Sequence, residues 1–535
     1  MQAENEIPLL EFEKLMEYVE EAPDEEATAR QFIAALVASA SLLMGLLGNV
    51  LFHSTPMGIN VFLYVGPLSL AAFGLLIYVR RPVVSKHAVF AIPAAVFALL
   101  LGVRSAPPLA VFDAAAMFGS LLIVVLFTGT PRFMGGHWLV PIRRAFDIVT
   151  TGWLKSLREV VPDSLRWFGR AELATQHLAT MRSVLRGVLI TLPIAAVFTL
   201  LLSSADAIFG DFAERVLTFF VPQSAGSIVE QFFLIVIFTV ISLVAFWTMV
   251  SDQVEIRSEP SPQAKTHRFR LNMIEASMVL GSVNFLFTTF VLIQARYFFG
   301  GQANITAQGY TYAEYARRGF YELLAVSCMT LLLLVTLENV TYRKREEEKT
   351  FRGLVVLMVV LTFVILIAAF RRLNLYENAY GYTRIRVMSG TFMIWLAVLL
   401  LVLLVAILRH RSDIVLIGCT ATALGFILTL NLMNLDGFIA SHNIARFEDA
   451  GKLDVPYLLS LSDDAIPTVA TLIDNPELGA PEREQLLSGL APRFYELDRD
   501  RATRGMFGYH IGKNRAWQAL ANHRDILQPY LYSRR

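Results

Sequence analysis

The chain has 535 residues, 55% of them hydrophobic and 17% charged, with a net charge of +1. Soluble domains average roughly 25% charged residues, so the composition points to a membrane protein. Balanced charge offers nothing to nucleic acid or to an acidic substrate, and the two cysteines, Cys328 and Cys419, lie in apolar text that suits neither a disulfide framework nor a zinc site.

In residues 1–30, ten Asp and Glu stand against Lys14 and Arg30. This reads as an acidic, helical, cytoplasmic tail and not as a cleavable signal peptide.

Eleven apolar stretches follow, at 31–53, 59–79, 87–104, 109–128, 184–204, 228–250, 273–295, 319–340, 353–370, 388–408 and 413–432. A span needs about 20 residues. Lipid gives the backbone no hydrogen-bond partner, so these stretches must be helices. The expected fold is all-α, a polytopic transmembrane bundle of about 11 spans. Pro67, Pro93 and Pro193 should kink their spans. Ser41 and Gly45 have the small-xxx-small spacing of closely packed helices. Segment 205–227 is too short and broken to cross, and reads as re-entrant or interfacial.

Positive charge sets orientation. The loops after the even-numbered spans carry 23 Lys and Arg, and the opposite set carries 9. The first set should be cytoplasmic together with the N-terminus, which puts the C-terminal segment outside. Loop 129–183 holds Trp138, Trp153 and Trp167 among basic residues, the composition of helices lying in the headgroup region. The expected organisation is a tail at 1–30, a first membrane segment at 31–128, an interfacial segment at 129–183, a membrane core at 184–447 and a small soluble α-helical domain at 448–535. Within that domain Asp463 or Asp464 is placed to cap a helix with Pro467 in its first turn. Further helices are expected at 481–497 and 513–530.

Four polar blocks interrupt the apolar text: Ser203–Phe209, Gln294–Glu322, Arg371–Arg386 and Asn431–Phe447. By the orientation above, all of them fall on the outer face. The strings GYTYAEYARRGFYE and RLNLYENAYGYTRIR, and the Asn-x-Asp-x-x-Ile-Ala-x-x-Asn stretch from Asn434 to Asn443, resemble the bacterial integral-membrane family catalogued as domain of unknown function 4173. The resemblance covers roughly residues 180–447. It departs at Leu435, where the family often has proline. It implies a bacterial plasma-membrane setting and no particular activity.

In the third block Arg371, Arg372, Arg384 and Arg386 bracket Tyr376, Glu377, Tyr380 and Tyr382. Arginine forks grip phosphate or carboxylate, so the block reads as an outward pocket for a lipid-linked anion. It reads equally as an aromatic belt with salt bridges at helix ends. Asp113 lies inside a span, where a charge costs about 2.5–3.5 kcal/mol at the centre. It is either a proton or cation site or a snorkelling, paired carboxylate. Glu322 stands where apolar text begins, and Asp206, Asn431, Asn434 and Asp436 stand at outer span ends, as polar site residues or as caps and turns.

No Walker A loop, H-E-x-x-H, G-x-S-x-G or C-x-x-C motif occurs, and no metal or other cofactor is expected. The leading functional expectation is a binding or scaffold protein of the envelope, held in the lipid bilayer, with an envelope protein or a lipid-linked anion as partner. The alternatives are a transporter of a small or lipidic solute, using Asp113, Glu322 and Asp436 as coupling groups, and an outer-leaflet enzyme on a lipid-linked phosphate with Glu377 or Asp436 as base.

Overall fold

Apolar backbone in lipid can close its hydrogen bonds only within a helix, and the described residues form little else. A computed structural model describes residues 25–80, 86–128, 146–168, 225–251, 271–299, 320–409 and 412–531. In chain order the membrane region contains α1 (Glu25–Phe52), α2 (Asn60–Arg80), α3 (Ala91–Leu100), α4 (Pro107–Thr128), α5 (Trp153–Phe168), α6 (Ala225–Ser251), α7 (Met273–Phe299), α8 (Phe320–Val340), α9 (Glu348–Tyr380), α10 (Arg384–Arg409), α11 (Ser412–Met433) and α12 (Leu435–Ala450). Among the described residues, eight helices are long and apolar enough to cross a membrane: α1, α2, α4 and α6 to α10. Helices α11 and α12 pass the same test together, across a 52° bend. The chain is an all-α multipass membrane protein.

Three differences from the sequence reading have physical causes. The stretch 87–104 forms a 3-10 turn, Lys86–Phe90, and then the ten-residue α3. Ten residues rise only about 15 Å, half the hydrocarbon thickness. Pro93 sits in the first turn of α3, where its missing N–H costs nothing, so it helps to start the helix and does not kink it. Arg371–Tyr380 is not a loop but a continuation of α9, because its buried positions Leu373 and Glu377 carry on the helical stripe of Ala369. The expected span 184–204, Pro193, Asp206 and most of 205–227 lie outside the described residues.

Small residues set the closest helix approaches. A methyl on Gly45 would overlap the Thr239 side chain of α6 and lie 2.7 Å from the Ile235 carbonyl oxygen, and Ser41 one turn earlier is fully buried. Gly418 and Gly425 of α11 likewise receive Val402 and Trp395 of α10. On its other side α11 lays Leu424, Ile427 and Leu428 against the core formed by α2, α3 and α4, so it joins the first helix group to the second. Large apolar side chains such as Leu43, Leu70, Phe118, Phe285 and Ile394 stay exposed around the outside, a surface suited to lipid.

Within 129–183 the described residues form the helix α5. It packs at the start of α1 through Arg30–Asp163 at 3.1 Å and at the end of α6 through Trp247 Nε1–H donating to Glu159 at 2.8 Å. Leu154, Val161, Leu165 and Phe168 form its exposed apolar stripe.

The opposite ends of the helices carry the C-terminal segment: α13 (Val455–Leu459), α14 (Ile466–Val469), α15 (Ala480–Thr503), α16 (Ile511–Ala521) and α17 (Arg524–Leu527), with 3-10 turns between them. One apolar core holds them. It runs from Leu487, Leu490 and Leu520 through Leu435 and Ile439 of α12 to Leu109 of α4 and Val387 of α10. Backbone bonds add to it, with Ile59 and Asn60 donating to Tyr509 and Phe507 at 3.1 Å and Ile511 donating to Gly102 at 2.8 Å. The connections α1–α2, α3–α4, α9–α10 and α11–α12 therefore share one face.

Candidate functional site

The polar residues on that face are built into the contact between the helix ends and the C-terminal segment. The α9–α10 turn needs a left-handed residue, supplied by Gly381 at φ +80°. Asn443 of α12 clamps the next residue with its amide, accepting from Tyr382 N–H at 2.8 Å and donating to Tyr382 C=O at 2.9 Å. Arg446 donates to the last carbonyls of α9, Asn378 at 3.1 Å and Ala379 at 2.8 Å. A cation at a helix C-terminus also suits the dipole.

Beside this turn, Arg384 opens α10. Its Nε and Nη2 donate to the two oxygens of Asp436 at 2.8 and 2.6 Å, and Asp436 is fully buried. Asp436 also accepts from Ser462 N–H at 2.8 Å, and Arg384 N–H donates to the Tyr457 hydroxyl at 3.1 Å. Burial pushes the Tyr457 hydroxyl up from its ordinary value, so it remains neutral. Charges, caps and backbone here satisfy one another, the condition for burying such groups.

A second tie lies against α4. Asp464 accepts from Ser105 N–H at 2.7 Å and Ala106 N–H at 3.2 Å, and its own N–H donates to Ser105 Oγ at 3.0 Å. The carboxylate thus caps the start of α4 from 358 residues away. Burial pushes the Asp464 carboxyl up, while Ser105 and the Arg104 charge pull it down. The adjacent Asp463 pairs with Arg493 at 3.0 Å. Of the two capping candidates, then, Asp464 caps another helix, and Pro467 does stand in the first turn of α14. Asn434 occupies the α11–α12 bend at φ +56°, the left-handed position asparagine tolerates.

Several of the other third-block candidates gather around the same turn, and the rest of the sequence candidates lie elsewhere. Arg386 lies 4.0 Å over the Tyr376 ring and donates to the Gly381 carbonyl. Glu377 is buried on α9 near Arg386, Tyr380 is exposed and stacked edge-on with Tyr376, and Arg371 and Arg372 lie along α9. Glu322 is in the first turn of α8. Asp113 and Asn431 meet inside the bundle at 2.6 Å. Of the four arginines of the third block, Arg384 is engaged by Asp436 of α12 and Arg386 by the Gly381 carbonyl of the turn. Among the described residues no three of His, Cys, Asp or Glu come together to hold a metal.

Ser105, Asn443, Arg446 and Tyr457 carry this junction without having been singled out as site residues in the sequence. Asn443 and Arg446, inside the fourth block, had a local signal. The others acquire their roles through partners on distant elements.

A family model described as Domain of unknown function (DUF4153) matches residues 91–472, well over half of the chain. The chain belongs to the DUF4153 family. This corrects the resemblance to family 4173. Tyrosine- and arginine-rich text at helix ends is a residue chemistry many multipass proteins share, and it marked the kind of protein but not the family. The DUF4153 match encloses Asp113, Arg384, Asn431, Asp436 and Asp464, and ends before α15. No curated protein and no solved structure matches the chain.

Proposed function

We propose that this DUF4153 protein is a membrane-embedded scaffold of the bacterial envelope whose C-terminal helices are held over the helix ends as a docking platform for another envelope protein. One observation carries the reading: Arg384, Asp436 and Asp464, the groups best suited to chemistry on this face, are spent on fixing that segment in place. The C-terminal segment offers Tyr495, Met506 and Tyr509, all exposed, and tyrosine and methionine are enriched at interfaces. The distribution of Lys and Arg in the sequence supports a cytoplasmic N-terminus and an extracytoplasmic platform in the plasma membrane.

The test is a photo-crosslinking residue at Tyr495 or Tyr509 in living cells, with a reporter fused after Arg535 to fix the side. A discrete protein adduct with the reporter outside is the expected result. No adduct above background in cells that contain the intact protein would overturn the scaffold reading, and an inside reporter would overturn the orientation.

A further inference from the structure

Asp113 of α4 and Asn431 of α11 are 318 positions apart and both fully buried. Asn431 Nδ2–H donates to Asp113 Oδ1 at 2.6 Å and to the Ile427 carbonyl at 3.0 Å. These two acceptors fix the amide, because turned over it would aim its oxygen at both of them. In this orientation Asp113 Oδ2 and Asn431 Oδ1 are each buried with no hydrogen-bond partner. Two buried acceptors without a donor, on one hydrogen-bonded pair and one of them bearing a formal charge, form an arrangement that lacks one positive charge.

We propose that a single monovalent cation, a proton or Na⁺, binds between Asp113 Oδ2 and Asn431 Oδ1. A proton taken from solvent turns Oδ2 into the donor that the amide oxygen lacks, and the acid and amide then share two hydrogen bonds. Na⁺ takes the same two oxygens as ligands, since hard cations favour carboxylate and carbonyl oxygen. The site stands apart from the docking platform and does not depend on that reading.

The charged surroundings are sparse. Arg104, between α3 and α4, is the cation whose charge reaches Asp113, and it is shared with Asp464. Among the described residues no ion pair with Asp113 forms, and Arg104 Nε is itself buried without a partner. Helix α3 carries no ionisable residue, α6 carries Glu230 near its start beside His53, and α11 carries Asp413 at the far end from Asn431. Arg104 is thus the competing counter-charge, and the experiment has to separate it from a bound cation.

The full-length protein in detergent is melted in about 100 mM NaCl and in choline chloride, at about pH 6 and about pH 8. Wild type should gain about 2 °C or more from Na⁺ at fixed pH, which identifies Na⁺, or should gain that much more than Asp113→Asn from acid alone, which identifies the proton and cancels the titrations of Asp464 and His510. A proton held in the fold and released on unfolding makes stability fall as pH rises. Asp113→Asn, which brings its own N–H to the site, should lose both responses. Asn431→Ala keeps the carboxyl and should need about tenfold more Na⁺, or about one pH unit more acid, for the same gain. Wild type with neither response, or both variants responding like wild type, would overturn the site and assign Asp113 as an ionised partner of Arg104.

Discussion

Arg384 and Asp436 face each other fork to fork across 52 positions of sequence, at 2.8 and 2.6 Å, with the carboxylate fully excluded from solvent. The pair joins the start of α10 to the start of α12, and Ser462 N–H extends it to the C-terminal segment.

Removing one partner leaves the other charge poorly compensated, which costs about 3–5 kcal/mol for buried pairs. Arg384→Ala and Asp436→Ala should each expose the C-terminal helices to protease. The double variant Arg384→Met with Asp436→Leu should recover much of the loss, because no charge remains buried. If the double variant is as unstable as the sum of the singles, the pair does not act as a unit.

Asp464 caps α4 in trans. Asp464→Ala should cost about 2 kcal/mol, the upper range for a lost cap, and should speed hydrogen exchange at Ser105 and Ala106. Burial pushes this carboxyl above its ordinary 3.8. The folded chain therefore keeps a proton that the unfolded chain has released, and this group's contribution to stability falls as pH rises above 3.8. Unchanged exchange at Ser105 would show that the cap is not holding the junction.

His510 titrates in the opposite sense. Burial, with Lys513 and Arg504 nearby, lowers it from 6.5 to about 4. The unfolded chain binds the proton first, so stability present above 6.5 is lost as pH falls toward about 4. At about 1.4 kcal/mol per pH unit the loss approaches about 3 kcal/mol. His510 Nδ1 also accepts from Lys513 N–H at the start of α16. His510→Asn retains a capping oxygen without titrating and should keep the C-terminal helices protease-resistant across that window, while wild type loosens.

Two glycines in membrane helices should respond in opposite ways to the same added methyl. Gly45→Ala pushes into Thr239 and the Ile235 carbonyl and should destabilise by about 1–3 kcal/mol, as overpacking does. Gly66→Ala meets nothing within 4 Å and should be neutral or stabilising by up to about 1 kcal/mol, the helix-propensity difference. Detergent melting of the two variants compares them directly; equal destabilisation would remove the argument that α1 and α6 touch at Gly45.

Local chemistry made much of this protein legible in its sequence. An apolar run in lipid has no alternative to a helix, so Ser227–Ser251 or Arg384–Arg409 could be recognised from composition. Ser41 and Gly45 announced a close contact through size and spacing, a helix in 129–183 was expected from tryptophans set among basic residues, and Asn434 suited the left-handed bend it occupies. The tertiary structure decided where partners lie. Arg384 read as a free anion fork until folding set it on Asp436, Asp464 read as a local cap until folding set it on Ser105, and 87–104 read as one span where the structure has a 3-10 turn and the ten-residue α3. Sequence determines what a segment can do with its neighbours along the chain, but a buried charge or an orphan helix N–H is satisfied by whatever packing brings near, and for Arg384, Asp464 and Asn431 that partner is between 52 and 359 residues away.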